Sequence, residues 1–357
     1  MGEQGRKIGD IDKNLKVNTE QLVKDLTYYD PEEAPFKIYG VFRSGEAFCR
    51  MPHLLAESIS GSLAYLNENT AGGRVRFQTD SRRIVIDVIL NDVCNLPHMA
   101  TCGVSGFDMY EKTGGEFKYL KSFIPPADHG VHYTAEMQFK KKKMRDLVIN
   151  FPLYCGVKKL RIGLDNDAEV CEGSKYAHKT PIVYYGSSIT QGGCASKPGS
   201  SYQAILSSFL DADYINLGFS GNAKGEPSIA EYIANLPMSA FVYAYDHNAP
   251  GVEHLKKTHK PFFDIVRKQN PTLPIVILSR PAYYLNTEEK LREEIIQNTY
   301  RSAVDSGDEN VYFFDGKKLM SLVRDNGTVD GVHPTDSGFF SIAKTLLPVM
   351  QYILSKE

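Results

Sequence analysis

The chain has 357 residues, 42% of them hydrophobic and 24% charged, with a formal net charge of -2. That length exceeds one ordinary hydrophobic core and predicts two domains; that composition excludes a low-complexity or disordered chain. The near-neutral balance, with one short basic run from Lys140 to Lys143, gives no footprint for a nucleic-acid or other polyanionic partner. No stretch reaches the length of a membrane span. The first residues, Met1 to Lys7, lack the apolar segment of a secretory leader. The compartment stays open, and a periplasmic or secreted protein is compatible if a leader is removed. Six cysteines without Cys-x-x-Cys spacing describe neither a zinc ribbon nor a dense disulfide framework.

From about Tyr39 to Leu164 the chain reads as β-rich. The runs at 74–78, 84–90 and 147–151 cluster β-branched and aromatic residues, and turn-formers lie between them at 79–81, 112–116 and 125–130. Many short strands of this kind predict a sandwich or jelly roll. Only 52–67 looks helical, with Gly61 interrupting it. From Pro181 the texture changes. Strand-like runs at 182–185, 213–216, 240–244, 274–278 and 311–314 alternate with helical stretches at 201–210, 228–236, 252–269 and 288–304, and a closing helix spans 336–354. Such alternation predicts a parallel sheet covered on both faces, with ligands held beyond the carboxyl ends of its strands. The boundary is placed in the polar stretch 171–180, giving domains 1–175 and 176–357.

Two segments of the second half carry chemistry. The first parallel strand ends in Gly186-Ser187-Ser188-Ile189-Thr190-Gln191-Gly192, whose small residues let the chain turn sharply and present a hydroxyl at the sheet edge. Taken alone, this also fits a glycine-rich turn with capping serines. Phosphate-loop spacing is absent. Just before the final helix stands Asp330-Gly331-Val332-His333-Pro334. An Asp and a His three apart can face one pocket, the carboxylate fixing the imidazole tautomer while the other nitrogen takes a serine proton. An Asp-Gly turn leading into a helix is the plainer alternative.

Together these segments resemble the SGNH or GDSL-like serine hydrolases: Gly186 to Gly192 is similar to their Gly-Asp-Ser block, and Asp330 to Pro334 to their closing Asp-x-x-His-Pro block. Asn216-Leu217-Gly218-Phe219-Ser220-Gly221 resembles their second block and Tyr245-Asp246-His247-Asn248 stands at the third. The resemblance covers 181–357. It implies a three-layer α/β/α, flavodoxin-like hydrolase domain with catalytic Ser188, His333 and Asp330. It also implies an oxyanion hole of the Ser188 and Gly221 amides and the Asn248 side chain. Two departures stand out: Ser187 replaces the usual Asp, and Asp246-His247 replace a glycine. Ser187, Asp246, His247 and Arg280 are candidate pocket residues; Asp246 is alternatively structural, and His247 is alternatively a rival base or a packing residue. In the front half, Gly106-Phe107-Asp108-Met109-Tyr110 resembles the Gly-x-Asp-Leu-Tyr signature of a β-rich domain that precedes some of these esterases.

The resemblance implies hydrolysis of short acyl esters, acetyl foremost, on a carbohydrate, without cofactor or metal. A platelet-activating-factor-type acetylhydrolase is the alternative within the same chemistry. An inactive carbohydrate-binding or scaffold protein on a hydrolase fold is the alternative outside it.

Overall fold

The computed structural model describes Asp12 and residues 25–126 and 128–356. The front half holds two antiparallel sheets. One has strand order Leu26–Tyr29, Val157–Asp165, Arg83–Leu90, His132–Gln138. The other runs Val170–Glu172, Arg74–Thr79, Arg145–Asn150, Phe107–Thr113, Glu116–Phe123, with Lys37–Tyr39 also paired to Arg74–Thr79. Ile84, Ile86 and Val88 from the first sheet meet Val75, Phe77, Leu147 and Ile149 from the second in one buried cluster, which makes this half a β-sandwich.

The 52–67 stretch forms two helices, His53–Ile59 and Gly61–Asn67. The chain breaks at Ser60, whose extended backbone lets its hydroxyl accept the Leu63 N–H and cap the second helix. These helices do not belong to the sandwich core. Ala56, Leu63 and Ala64 pack with Val183, Tyr185, Phe241 and Tyr243 of the following half.

The second half is built on a five-stranded parallel sheet, ordered Ala212–Gly218, His178–Gly186, Ala240–Ala244, Ile275–Leu278, Val311–Phe314. Counted from its own first strand the order is 2-1-3-4-5. Alternation at period two sends Ile182 and Tyr184 into one buried cluster and Val183 and Tyr185 into the other. Both faces are therefore covered by helices, as a parallel sheet requires. The helices Val252–Gln269 and Asp336–Leu354 have the bounds expected from their apolar periodicity. The first strand, flanked by the second and third, marks the point where the winding reverses, and a crevice opens at its carboxyl end.

Candidate active site

Three strand ends meet at that crevice. Gly186 is in register with Gly218 on one side and Ala244 on the other. The strand His178–Gly186 passes directly into a single helical turn, Ser188–Gln191, where the sequence suggested only a turn. Ser187 caps it by accepting the Ile189 N–H at 3.3 Å, and Gly192 ends it with φ of 107°. The turn lies so tight on the sheet that side chains at two positions cannot fit. A Cβ on Gly186 would sit 2.2 Å from Thr190 Oγ1, and one on Gly218 would sit 2.2 Å from Gln191 N. This packing fixes Ser188 at the edge of the crevice.

His333 reaches it from the loop before the last helix. The Val329 N–H donates to the His333 carbonyl at 2.8 Å, and Thr335 caps the helix that follows. Ser188 Oγ lies 2.9 Å from His333 Nε2, and His333 Nδ1 lies 2.7 Å from Asp330 Oδ2. Asp330 Oδ1 accepts the backbone N–H groups of Val332 at 3.0 Å and His333 at 2.8 Å. Partial burial pushes the Asp330 carboxyl up, but the hydrogen bonds from the His333 amide, the His333 ring and the Val332 amide bring it down to about 2. An ionised Asp330 directs the Nδ1 proton toward itself, so the lone pair of Nε2 faces the Ser188 hydroxyl.

Gly221 and Asn248 are brought together beside this series, and they bond to each other. The Gly221 N–H donates to Asn248 Oδ1 at 3.1 Å, while Asn248 Nδ2 donates to the Phe219 carbonyl at 2.8 Å. The Ser188 N–H has no backbone or side-chain acceptor among the described residues. Gln191 completes the arrangement, though sequence reasoning gave it no role. Its Oε1 accepts the Ser220 N–H at 3.0 Å and its Nε2 donates to Asn69 Oδ1 and the Leu153 carbonyl.

The candidate pocket residues lie behind this front. Ser187, Asp246, His247 and Arg280 wall a cavity of about 20 Å³, room for one water molecule and not for a sugar or acyl chain. Asp246 is buried between Arg280 Nε at 2.8 Å and Arg292 Nε at 2.7 Å. Burial pushes its carboxyl up, yet the Arg280 hydrogen bond and the charges of Arg280 and Arg292 leave it below the usual carboxylate range. Arg292 also donates to the Ala249 carbonyl at 2.8 Å, which braces the loop carrying Asn248. Burial and the neighbouring Arg280 charge drive His247 down to about 4, so its imidazole is neutral.

The front half reaches into the site. Asp108 of the Gly-x-Asp-Leu-Tyr-like motif accepts the Gly199 N–H at 2.7 Å and the Asn150 side chain at 2.8 Å. Its bond to Gly199 crosses to the loop after the Ser188 turn rather than serving the sandwich alone. Arg50 is buried with its guanidinium 4.4 Å from the Phe219 ring and donates to the carbonyls of Asn216, Gly218 and Leu66. It thereby holds the strand end that leads to Gly221. Tyr154 lies beside the crevice, its hydroxyl 3.5 Å from the Ser188 carbonyl. It helps line a groove of about 530 Å³ together with Tyr65, Leu66, Asn69, Ser220 and Asn222. His98, Cys194 and His333 bring ligand-type atoms within 4.8 Å of one another, a grouping that their distant sequence positions concealed. All six cysteines are unpaired. Among the described residues no helix is long and apolar enough to cross a membrane.

Residues 179–351 match the GDSL-like lipase/acylhydrolase family, and residues 26–170 match the N-terminal domain of SGNH-hydrolase-type esterases. The chain is an SGNH/GDSL-type carboxylic ester hydrolase, with a GDSL-like domain preceded by that β-rich domain. Among solved structures it resembles a candidate GDSL-like lipase from Bacteroides ovatus ATCC 8483, at 29% identity and a TM-score of 0.83, covering 92% of this chain and 98% of that one. The fold is shared with the salicylyl-acyltransferase SsfX3 from a tetracycline biosynthetic pathway, at 18% identity and a TM-score of 0.76, covering 93% and 98%. It is shared also with an acetyl xylan esterase from Butyrivibrio proteoclasticus, at 14% identity and a TM-score of 0.57, covering 92% and 99%. No curated protein sequence matches the chain significantly.

Proposed function

We propose that the chain removes short acyl groups, acetyl foremost, from a carbohydrate through an acyl-enzyme on Ser188. The observation that carries the mechanism is the hydrogen-bonded series Asp330–His333–Ser188, with links of 2.7 and 2.9 Å at the carboxyl edge of the sheet. Ser188 attacks the ester carbonyl as His333 accepts its proton, and Asp330 stabilises the imidazolium that forms. His333 then returns the proton to the leaving alcohol. Water, deprotonated by the same imidazole, releases the acyl group.

The tetrahedral oxyanion is held by the Ser188 N–H, by Asn248 Nδ2 and by the Gly221 N–H. For the last of these, the oxyanion replaces Asn248 Oδ1 as acceptor. Residues 1–175 act as the accessory unit and 176–357 as the catalytic unit, the first supplying one wall of the groove. Tyr65 and Tyr154 beside Asn69, Ser220 and Asn222 combine flat apolar faces with amide and hydroxyl groups, a lining suited to a sugar ring. The acetyl xylan esterase among the structures that share the fold is in keeping with this substrate class.

The reaction is tested with p-nitrophenyl acetate on wild type and Ser188→Ala; equal rates in both would remove the serine mechanism. The substrate class is tested with acetylated xylan, mannan and pectin beside a lipid acetyl ester. Activity on the lipid ester alone would sink the carbohydrate reading.

A further inference from the structure

We propose that His98, Cys194 and His333 form a binding site for a thiophilic divalent cation, zinc foremost, whose occupation draws His333 away from Ser188 and silences the esterase. One ligand atom from each residue lies within 4.8 Å of the other two. One thiolate and two imidazoles are a zinc donor set, with water in the fourth tetrahedral position; magnesium and calcium take oxygen donors instead. Ligand atoms around a tetrahedral zinc stand roughly 3.3–3.7 Å apart, so closing the site needs about 1 Å of side-chain movement. His98 is exposed on the segment after the strand Arg83–Leu90 and is free to supply it. Its ring centroid already lies 5.8 Å from that of His333.

The surroundings of His333 fit a ligand. Its Nδ1 is committed to Asp330, which leaves Nε2 as the coordinating atom. A carboxylate on the far nitrogen is the partner usually found behind a zinc-bound histidine. The Gly193–Cys194 backbone runs along the Nε2 edge of the ring, since a Cβ on Gly193 would sit 3.2 Å from His333 Cδ2. Cys194 has φ of 73°, a left-handed conformation uncommon for a residue with a side chain. The hydrolytic steps use neither Cys194 nor His98.

On binding, Cys194 releases its thiol proton to solvent and coordinates as thiolate. The two histidines coordinate as neutral rings, and the Ser188 Oγ to Nε2 hydrogen bond breaks. No oxidation state changes, so a chelator reverses the step. The inhibitory half of the proposal rests on His333 being the base; the binding half does not.

The two halves are measured separately. Calorimetric titration of zinc chloride into Ser188→Ala should give one ion per chain with release of a proton. His98→Ala and Cys194→Ser, each made in that background, should weaken binding at least about tenfold. In the otherwise wild-type chain, zinc should abolish p-nitrophenyl acetate hydrolysis and EDTA should restore it. His98→Ala and Cys194→Ser should keep near-wild-type activity without zinc and retain it in zinc. Absence of stoichiometric binding, or equal binding in the two variants, overturns the site. Binding at these residues with activity intact in zinc overturns the inhibition. A chain without esterase activity in zinc-free buffer would count against the proposed function, and the titration would still decide the site.

Discussion

Replacing Asp330 with asparagine should harm catalysis more than removing its side chain. Oδ1 of Asp330 accepts two backbone N–H groups, from Val332 and His333, while Oδ2 faces His333 Nδ1. In asparagine only the carbonyl oxygen can take the backbone donors, so the amide nitrogen turns toward the ring. Two donors then oppose each other unless the imidazole moves its proton to Nε2, where it can no longer accept from Ser188. In Asp330→Ala, water can enter, because the Asp330 side chain is 39% exposed. That loss is one charge-assisted hydrogen bond discounted for solvent, about 1.5 kcal/mol or roughly tenfold in kcat. The tautomer exchange costs about ten-thousand-fold where a triad aspartate is fully buried. The exposure of Asp330 reduces this to roughly a hundred- to a thousand-fold here. Turnover of p-nitrophenyl acetate by the three chains at one pH decides the order. An Asn variant as active as the Ala variant would refute this account of the carboxylate.

Asn248→Ala should lower kcat by roughly a hundred- to a thousand-fold with KM little changed, as for loss of one oxyanion donor. An unchanged kcat in steady-state assays would restrict Asn248 to tying the 219–221 loop. Arg50→Leu leaves three carbonyls at a buried corner without their donor and should cost about 3–4 kcal/mol in urea unfolding. A loss under about 1 kcal/mol would contradict the bracing role. Burial raises the Asp108 carboxyl to about 6 against the hydrogen bonds of Asn150, Gly199 and Tyr110. Its proton is therefore held more tightly in the folded chain than in the unfolded one, where the carboxyl titrates near 3.9. The resulting cost is absent below about pH 4 and complete above about pH 6, at about 3 kcal/mol. Unfolding free energies of wild type and Asp108→Asn should thus shift in the variant's favour between those limits, and a pH-independent difference would contradict this.

The parallel half was largely legible because its signals are local. The apolar face of 252–269 and the buried run 240–244 each declare their type within a few turns, and their bounds match Val252–Gln269 and Ala240–Ala244. The Asp330-x-x-His333 spacing likewise predicted two groups on one loop, and they lie 2.7 Å apart. What was hidden depends on distant pairing. Asp246 read as a substrate or structural carboxylate because its cations, Arg280 and Arg292, arrive from later elements. Asp108 stands in a motif of the front half, and nothing local shows that its partner Gly199 lies in the other half. Gln191 sat inside the quoted motif with nothing to reveal that it spans Ser220, Asn69 and Leu153. The stretch 52–67 reads as helical with an interruption at Gly61, and the break falls one residue earlier, at Ser60. That break serves packing onto the parallel sheet, which no local pattern encodes.

The central claim, Ser188 as nucleophile, is tested most directly by labelling with a fluorophosphonate and locating the adduct by peptide mass spectrometry. The account predicts one adduct per chain, on Ser188, with loss of ester hydrolysis in step with labelling and neither label nor activity in Ser188→Ala. An adduct on another residue, or undiminished hydrolysis by Ser188→Ala, would contradict it.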